Sequence, residues 1–308
     1  DRLDYEQGYV ALDELGDDLK RRLENKAYTH IILFCMGWNN NQEESIYRYN
    51  TIVANLKNIV PEKDFVPLII GFTWPSVWFS IEDNWLKKNA LFMASYFTKQ
   101  DDADEIGMTI ANLVTHNIVL KANKDANNDK HPKVIAIGHS MGARILSRAI
   151  FSNEYIKPVS HKITSEVDLF IGLQGAFSAN RFIAYDGWEG SPYAEFSDRK
   201  TEFSLTTSRC DKANPIAAFI TGANHTGGKH GLRVAKKSKN EEIFNVIEWT
   251  DNIKVDTDAL SSISTEDKRK VIMIDASKIV DGYDADHGVN NPNDAHNDIL
   301  DTDMAELI

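Results

Sequence analysis

The chain has 308 residues, 26% charged and 42% apolar, and its 34 Lys and Arg against 46 Asp and Glu leave a net charge of −12. That mix excludes a disordered chain, and the acidic balance argues against a nucleic-acid partner, whose phosphates need a concentrated positive surface. No stretch approaches the roughly 18 consecutive apolar residues of a membrane-spanning helix.

In chain order, Tyr28–Met36 reads as a buried strand with apolar residues on both faces. Glu43–Ile59 follows with Ile46, Tyr49, Ile52, Val53, Leu56 and Ile59 at helical spacing. Phe65–Thr73 is a second strand, Asp104–Leu120 a second helix, and Lys133–Ile137 a third strand that runs through Gly138 into a helix from Met141 to about Phe151. Val167–Leu173, Glu202–Thr207 and Lys270–Asp275 supply three more strands. Short apolar runs alternating with amphipathic ones predict an α/β fold, doubly wound on a mostly parallel sheet. No repeat or Gly/Ser/Pro-rich linker divides the chain, so one domain over residues 1–308 is expected. Three stretches break the alternation: aromatic-rich Ser76–Lys99, Gly175–Lys200, and the long, mixed Asp211–Ser264. Insertions of this length are usually lids or subdomains, which makes 76–100 and 175–200 candidate cap elements.

The strongest local signal is Gly138-His-Ser140-Met-Gly142 between a β-branched strand and a helix. A bare G-x-S-x-G is weak; in a tight strand-to-helix turn, small residues two before and two after the serine let the chain close and lift Oγ clear of the sheet. The following helix N-terminus favours developing negative charge. A second signal, Gly37-Trp-Asn-Asn-Asn41, sits directly after the first strong strand, where a loop N–H can join the N–H after the nucleophile in an oxyanion hole. Those donors would be Trp38 and Met141. The competing reading is an Asn-rich turn that caps the next helix.

These residues, with Phe72-Thr-Trp-Pro-Ser76 between them, resemble the α/β-hydrolase superfamily, in particular poorly characterised bacterial members with a HGxNN…WPS…HSMG signature. The resemblance is specific over about Tyr28–Asn180. It departs at Met36, where a histidine usually precedes the oxyanion glycine; the hydrogen bond such a histidine makes to steady the loop is missing, while the backbone donor stays. The resemblance implies a serine hydrolase whose nucleophile, acid and base follow in the order Ser, Asp/Glu, His. Ser140 is then the nucleophile. Only His287 and His296 lie beyond the last strong strand, and His296 is preferred because the apolar end (Met304, Leu307, Ile308) can pin its loop to the sheet. Asp211, after the strand Glu202–Thr207, is the favoured acid, with Asp186 after the preceding strand as its rival.

No cofactor or metal is expected. His225 and His230 lack helical metal-site spacing and read as loop residues near the mouth, and the acidic run Asp281–His287 lacks the pattern of a calcium loop. The two cysteines, Cys35 and Cys210, are expected to be free and buried at strand ends. Because the chain opens on Asp1, an N-terminal piece is expected to have been removed or left out; cytoplasm, periplasm and secretion all stay open. The expected activity is that of a serine carboxylesterase on small to medium acyl esters. The partner is a small-molecule ester, and oligomeric state is left open. An interfacial lipase or phospholipase is the alternative within enzymes, and a non-catalytic ligand-binding module on a hydrolase scaffold the alternative outside them.

Overall fold

Strand β1 (His30–Cys35) dictates the layering. Ile31, Leu33 and Cys35 point to one side, Ile32, Phe34 and the adjoining Met36 to the other, and none of the six is more than 1% exposed. Alternate residues of a strand face opposite ways, so a strand apolar in both phases has to be covered on both faces. The computed structural model describes residues 5–76, 98–127, 131–152, 167–183, 193, 196–197, 199–213, 222–249, 270–284, 289–290 and 295–308. Within them, β1 is joined by β2 (Pro67–Phe72), β3 (Lys133–His139), β4 (Leu169–Leu173), β5 (Glu202–Thr207), β6 (Phe244–Glu248) and β7 (Val271–Asp275). They form one sheet in the order β2-β1-β3-β4-β5-β7-β6, every neighbouring pair parallel.

The helices are α1 (Tyr5–Asn25), α2 (Gln42–Ile59), α3 (98–125), α4 (Met141–Phe151), α5 (Lys229–Ala235) and α6 (Thr302–Leu307). Leu19 and Leu23 of α1, Val119 and Leu120 of α3, and Ile145 and Leu146 of α4 cover one sheet face; Ile52 and Leu56 of α2 and Met304 of α6 cover the other. Fully burying side chains of this size contributes about 1.5–3 kcal/mol each. Half-buried Asp104 of α3 ties α3 to α4 on the first of these faces. It pairs with Arg144 of α4 at 2.6 Å, with Arg148 at 3.2 Å and with Arg181 at 3.4 Å. Burial alone would raise this carboxyl's pKa, but the arginines outweigh it and hold it below the usual carboxylate range.

Six expected strands are present, and β6 is a seventh inside the long, mixed stretch 211–264. Its five residues, Phe-Asn-Val-Ile-Glu, sit at the sheet edge with only Phe244 fully buried, so they lack the continuous apolar run that marks an inner strand. Helix α1 also goes beyond the sequence reading, although Leu12, Leu15, Leu19 and Leu23 form its apolar stripe. The second expected helix runs longer than Asp104–Leu120 and contains wide π turns at Gly107–Ala111 and Val114–Leu120. Both cysteines are free, Cys35 buried and Cys210 only partly so. Residues 77–97 and 184–192 of the two candidate caps, with Asp186, and also His287, lie outside the described residues. No helix among the described residues is long and apolar enough to cross a membrane.

Helix α4 meets β1 at Gly142, where a Cβ would stand 2.0 Å from the carbonyl oxygen of Cys35 and 2.4 Å from its carbon. Neither backbone atom can yield without moving the helix off the sheet. Gly142→Ala is therefore expected to lose about 3 kcal/mol or more in urea unfolding. Gly16→Ala, where α1 meets only Ile118 side-chain atoms at 3.8–4.0 Å, is expected to be neutral or to gain up to about 1 kcal/mol.

Candidate active site

Because every strand of the sheet runs parallel, the loops leaving β1, β3 and β5 emerge on one edge. Ser140 is the first residue past β3 and takes φ 55°, ψ −121°. A non-glycine residue held in a sparsely populated conformation costs about 1–3 kcal/mol, so its surroundings must impose it. Ser140 N–H donates to the Leu173 carbonyl at 2.9 Å, and its carbonyl accepts from Ala143 N–H at 3.1 Å and Ala176 N–H at 3.0 Å. Three glycines make room. A Cβ on Gly138 would lie 2.5 Å from Ala143 Cα, one on Gly142 would strike Cys35, and one on Gly37 would lie 2.6 Å from Ser140 Cβ. Gly37 thus brings the loop after β1 against the serine itself.

Asp211, four residues past β5, is 1% exposed. Its Oδ2 accepts from His296 Nδ1 at 2.8 Å and its Oδ1 from Ala213 N–H at 2.8 Å. A carboxylate oxygen accepts such a bond, so Nδ1 is the donor and Nε2 is left on the opposite side of the ring. His296 sits in a single turn, Ala295–Asn297, flanked by buried Ala295 and Ile299, and α6 packs on α2 beyond it. Asn55 of α2 donates to the Leu300 carbonyl at 2.7 Å and Arg48 to Asn297 Oδ1 at 3.3 Å, fastening this segment. His139, next to Ser140, donates from Nε2 to the His296 carbonyl at 2.8 Å, and the two rings lie 4.8 Å apart. The structure thus joins Asp211 to His296 and sets the His296 turn against the residue preceding Ser140.

The Asn run after β1 divides its work. Asn41 caps α2 reciprocally with Glu44, as the helix-cap reading expected. Asn40 turns inward, and its Nδ2 donates to the carbonyls of Gly37 and Trp38, each at 3.2 Å. A trans peptide carries its C=O and N–H on opposite sides, so fixing the Gly37 carbonyl on Asn40 turns Trp38 N–H the other way. Met141 is the first residue of α4, at its positive end.

The sequence model of a family described as alpha/beta hydrolase of unknown function (DUF900) matches residues 12–266. The chain belongs to this family. The match spans β1 to β6, takes in Ser140 and Asp211, and ends before β7 and His296. No curated protein and no solved structure matches the chain.

In this α/β hydrolase, His225 is buried and bridges Ser178 through its backbone, while His230 lies in the first turn of α5. No group of three or more His, Cys, Asp or Glu among the described residues is placed to hold a metal ion. Sequence reasoning passed over His139. Its signal was a histidine closing an otherwise apolar strand, since a polar side chain that deep needs a partner. Burial, reinforced by the nearby His296 and Arg48, pushes the His139 imidazole well below its ordinary pKa, so the folded protein keeps it neutral.

An unfolded chain takes up a proton at this position near pH 6.5, whereas the folded one refuses it. The contribution is complete above that pH and is lost as the pH falls below it, at up to about 1.4 kcal/mol per pH unit for one group. Urea unfolding at pH 7.5, 6.5 and 5.5 is expected to show stability falling over the lower interval. His139→Gln should make that fall shallower; an equal slope in the variant would contradict the assignment.

Proposed function

We propose that this family member is a serine hydrolase that cleaves small to medium carboxylic esters through an acyl-enzyme. The observation that carries the reading is the hydrogen bond from His296 to buried Asp211 beside the strained Ser140 turn. An isolated hydroxyl is a poor nucleophile and needs a base oriented by a third group. In this reading Ser140 Oγ attacks the ester carbonyl while its proton passes to His296 Nε2. Asp211 fixes the tautomer and stabilises the imidazolium. The N–H groups of Trp38 and Met141 hold the tetrahedral oxyanion, and the positive end of α4 supports that charge. His296 then returns the proton to the departing alcohol. Water, deprotonated by the same histidine, releases the acid and restores the serine. The steps close without a cofactor or metal.

A p-nitrophenyl ester ladder from acetate to palmitate, run on the whole chain, tests the reading. Turnover is expected to peak at short to medium acyl chains, and Ser140→Ala to lower it by at least about three orders of magnitude without loss of fold. Activity that rises only once the substrate forms an interface would instead mark a lipase. Ester turnover in Ser140→Ala close to wild type, or silence across the ladder from folded protein, would overturn the esterase reading; silence would favour a binding module.

A further inference from the structure

Met36 removes the histidine that would steady the loop before the oxyanion glycine, yet the loop is held from another direction. Trp74 Nε1–H donates to the Met36 carbonyl at 3.0 Å. Ser76 Oγ donates to the Asn40 carbonyl at 2.6 Å and accepts from Asn40 N–H at 3.1 Å, while the Ser76 carbonyl accepts from Asn39 N–H at 3.3 Å. Four hydrogen bonds thus run from the segment after β2 onto the two ends of the 36–40 loop. Trp74 and Ser76 are both buried, 9% and 1% exposed, so water does not compete for these bonds. Behind them Lys99 donates to the Pro75 carbonyl at 2.7 Å and pairs with Asp102 at 2.9 Å, which anchors the segment to α3. Inside the clamp Asn39 stands at φ 65°, a turn that asparagine tolerates. That turn brings the Asn40 amide back onto the Gly37 and Trp38 carbonyls.

We propose that Trp74 and Ser76 are positioning residues for ester hydrolysis, clamping the 36–40 loop so that Asn40 aims the Trp38 N–H at the oxyanion. The proposal rests on the esterase reading above. Its physical content is preorganisation. A donor held before charge develops stabilises the transition state without reorganising, and one free to turn does not. Neither side chain touches the reacting atoms, so the effect should fall on the transition state and leave ground-state binding alone.

Ser76→Ala, Trp74→Phe and Asn40→Asp separate positioning from mere support of the fold. Asn40→Asp keeps the shape but replaces the donating amide with an acceptor, and Trp74→Phe loses the N–H while keeping an aromatic ring. Assays use the best ester of the ladder and an alkyl trifluoromethyl ketone of matching chain length, which a nucleophilic serine captures as a hemiketal oxyanion. In each variant kcat is expected to fall about 10- to 100-fold with KM changed less than about threefold. The inhibition constant of the ketone should rise by the same factor as kcat/KM falls. Should Ser76→Ala fail to fold, Trp74→Phe and Asn40→Asp carry the test. Turnover within about twofold of wild type in folded variants, or loss of turnover with unchanged ketone inhibition, would overturn the clamp. Ser140→Ala alongside keeps the two failures apart: if it stays active the esterase reading falls, and if it is dead while the clamp variants are unaffected only the clamp falls.

Discussion

The site depends on one backbone conformation, Ser140 at φ 55° and ψ −121°, forced where β3 turns into α4. The turn closes because Gly138 lets the strand end meet Ala143, Gly142 lets α4 rest on the carbonyl of Cys35, and Gly37 leaves space beside Ser140. Remove any one of these approaches and β1, β3 and α4 can no longer meet at one point. The conformational cost is borne by the sheet. Parallel pairing of β1 with β3 and of β3 with β4 is among the most buried structure in the chain, and it fixes both sides of the turn.

Around that point the loops are fastened by side chains that bind main-chain atoms far away in sequence. His139 holds the His296 turn, Trp74 and Ser76 hold the loop after β1, and Asn55 holds Leu300. One such bond adds about 1 kcal/mol net to stability, and leaving a buried partner unsatisfied costs about 1–3 kcal/mol. Their larger consequence is geometric. Loops would otherwise be the most mobile parts of the edge, and here each is tied to a strand or helix.

Much of the fold was legible because it rests on local periodicity. The inner strands are apolar in both phases and read directly from sequence, and the glycine spacing around Ser140 has a steric meaning that needs no coordinates. The chain order that the resemblance implies, together with the apolar end that favours His296 over His287, pointed to Asp211 and His296, and these two side chains lie in hydrogen-bond contact. Strand β6 stayed hidden because an edge strand buries little, and Asn245 and Glu248 interrupt its pattern. The steadying of the loop after β1 was not legible either. Met36 announces a missing restraint, but its replacement reaches across 36 or more positions from Trp74 and Ser76, and no local pattern encodes such a pairing. His139 was missed for the same reason, since its partner lies 157 residues away.

Covalent capture tests whether the Ser140 hydroxyl is an activated nucleophile without assuming any substrate. The whole protein would be treated with a fluorophosphonate and the adduct located by intact-mass and peptide mass spectrometry. One phosphonyl group per chain is expected, on Ser140, with labelling abolished in Ser140→Ala and strongly slowed in His296→Ala. Folded protein that stays unlabelled, or that carries the adduct elsewhere, would contradict it.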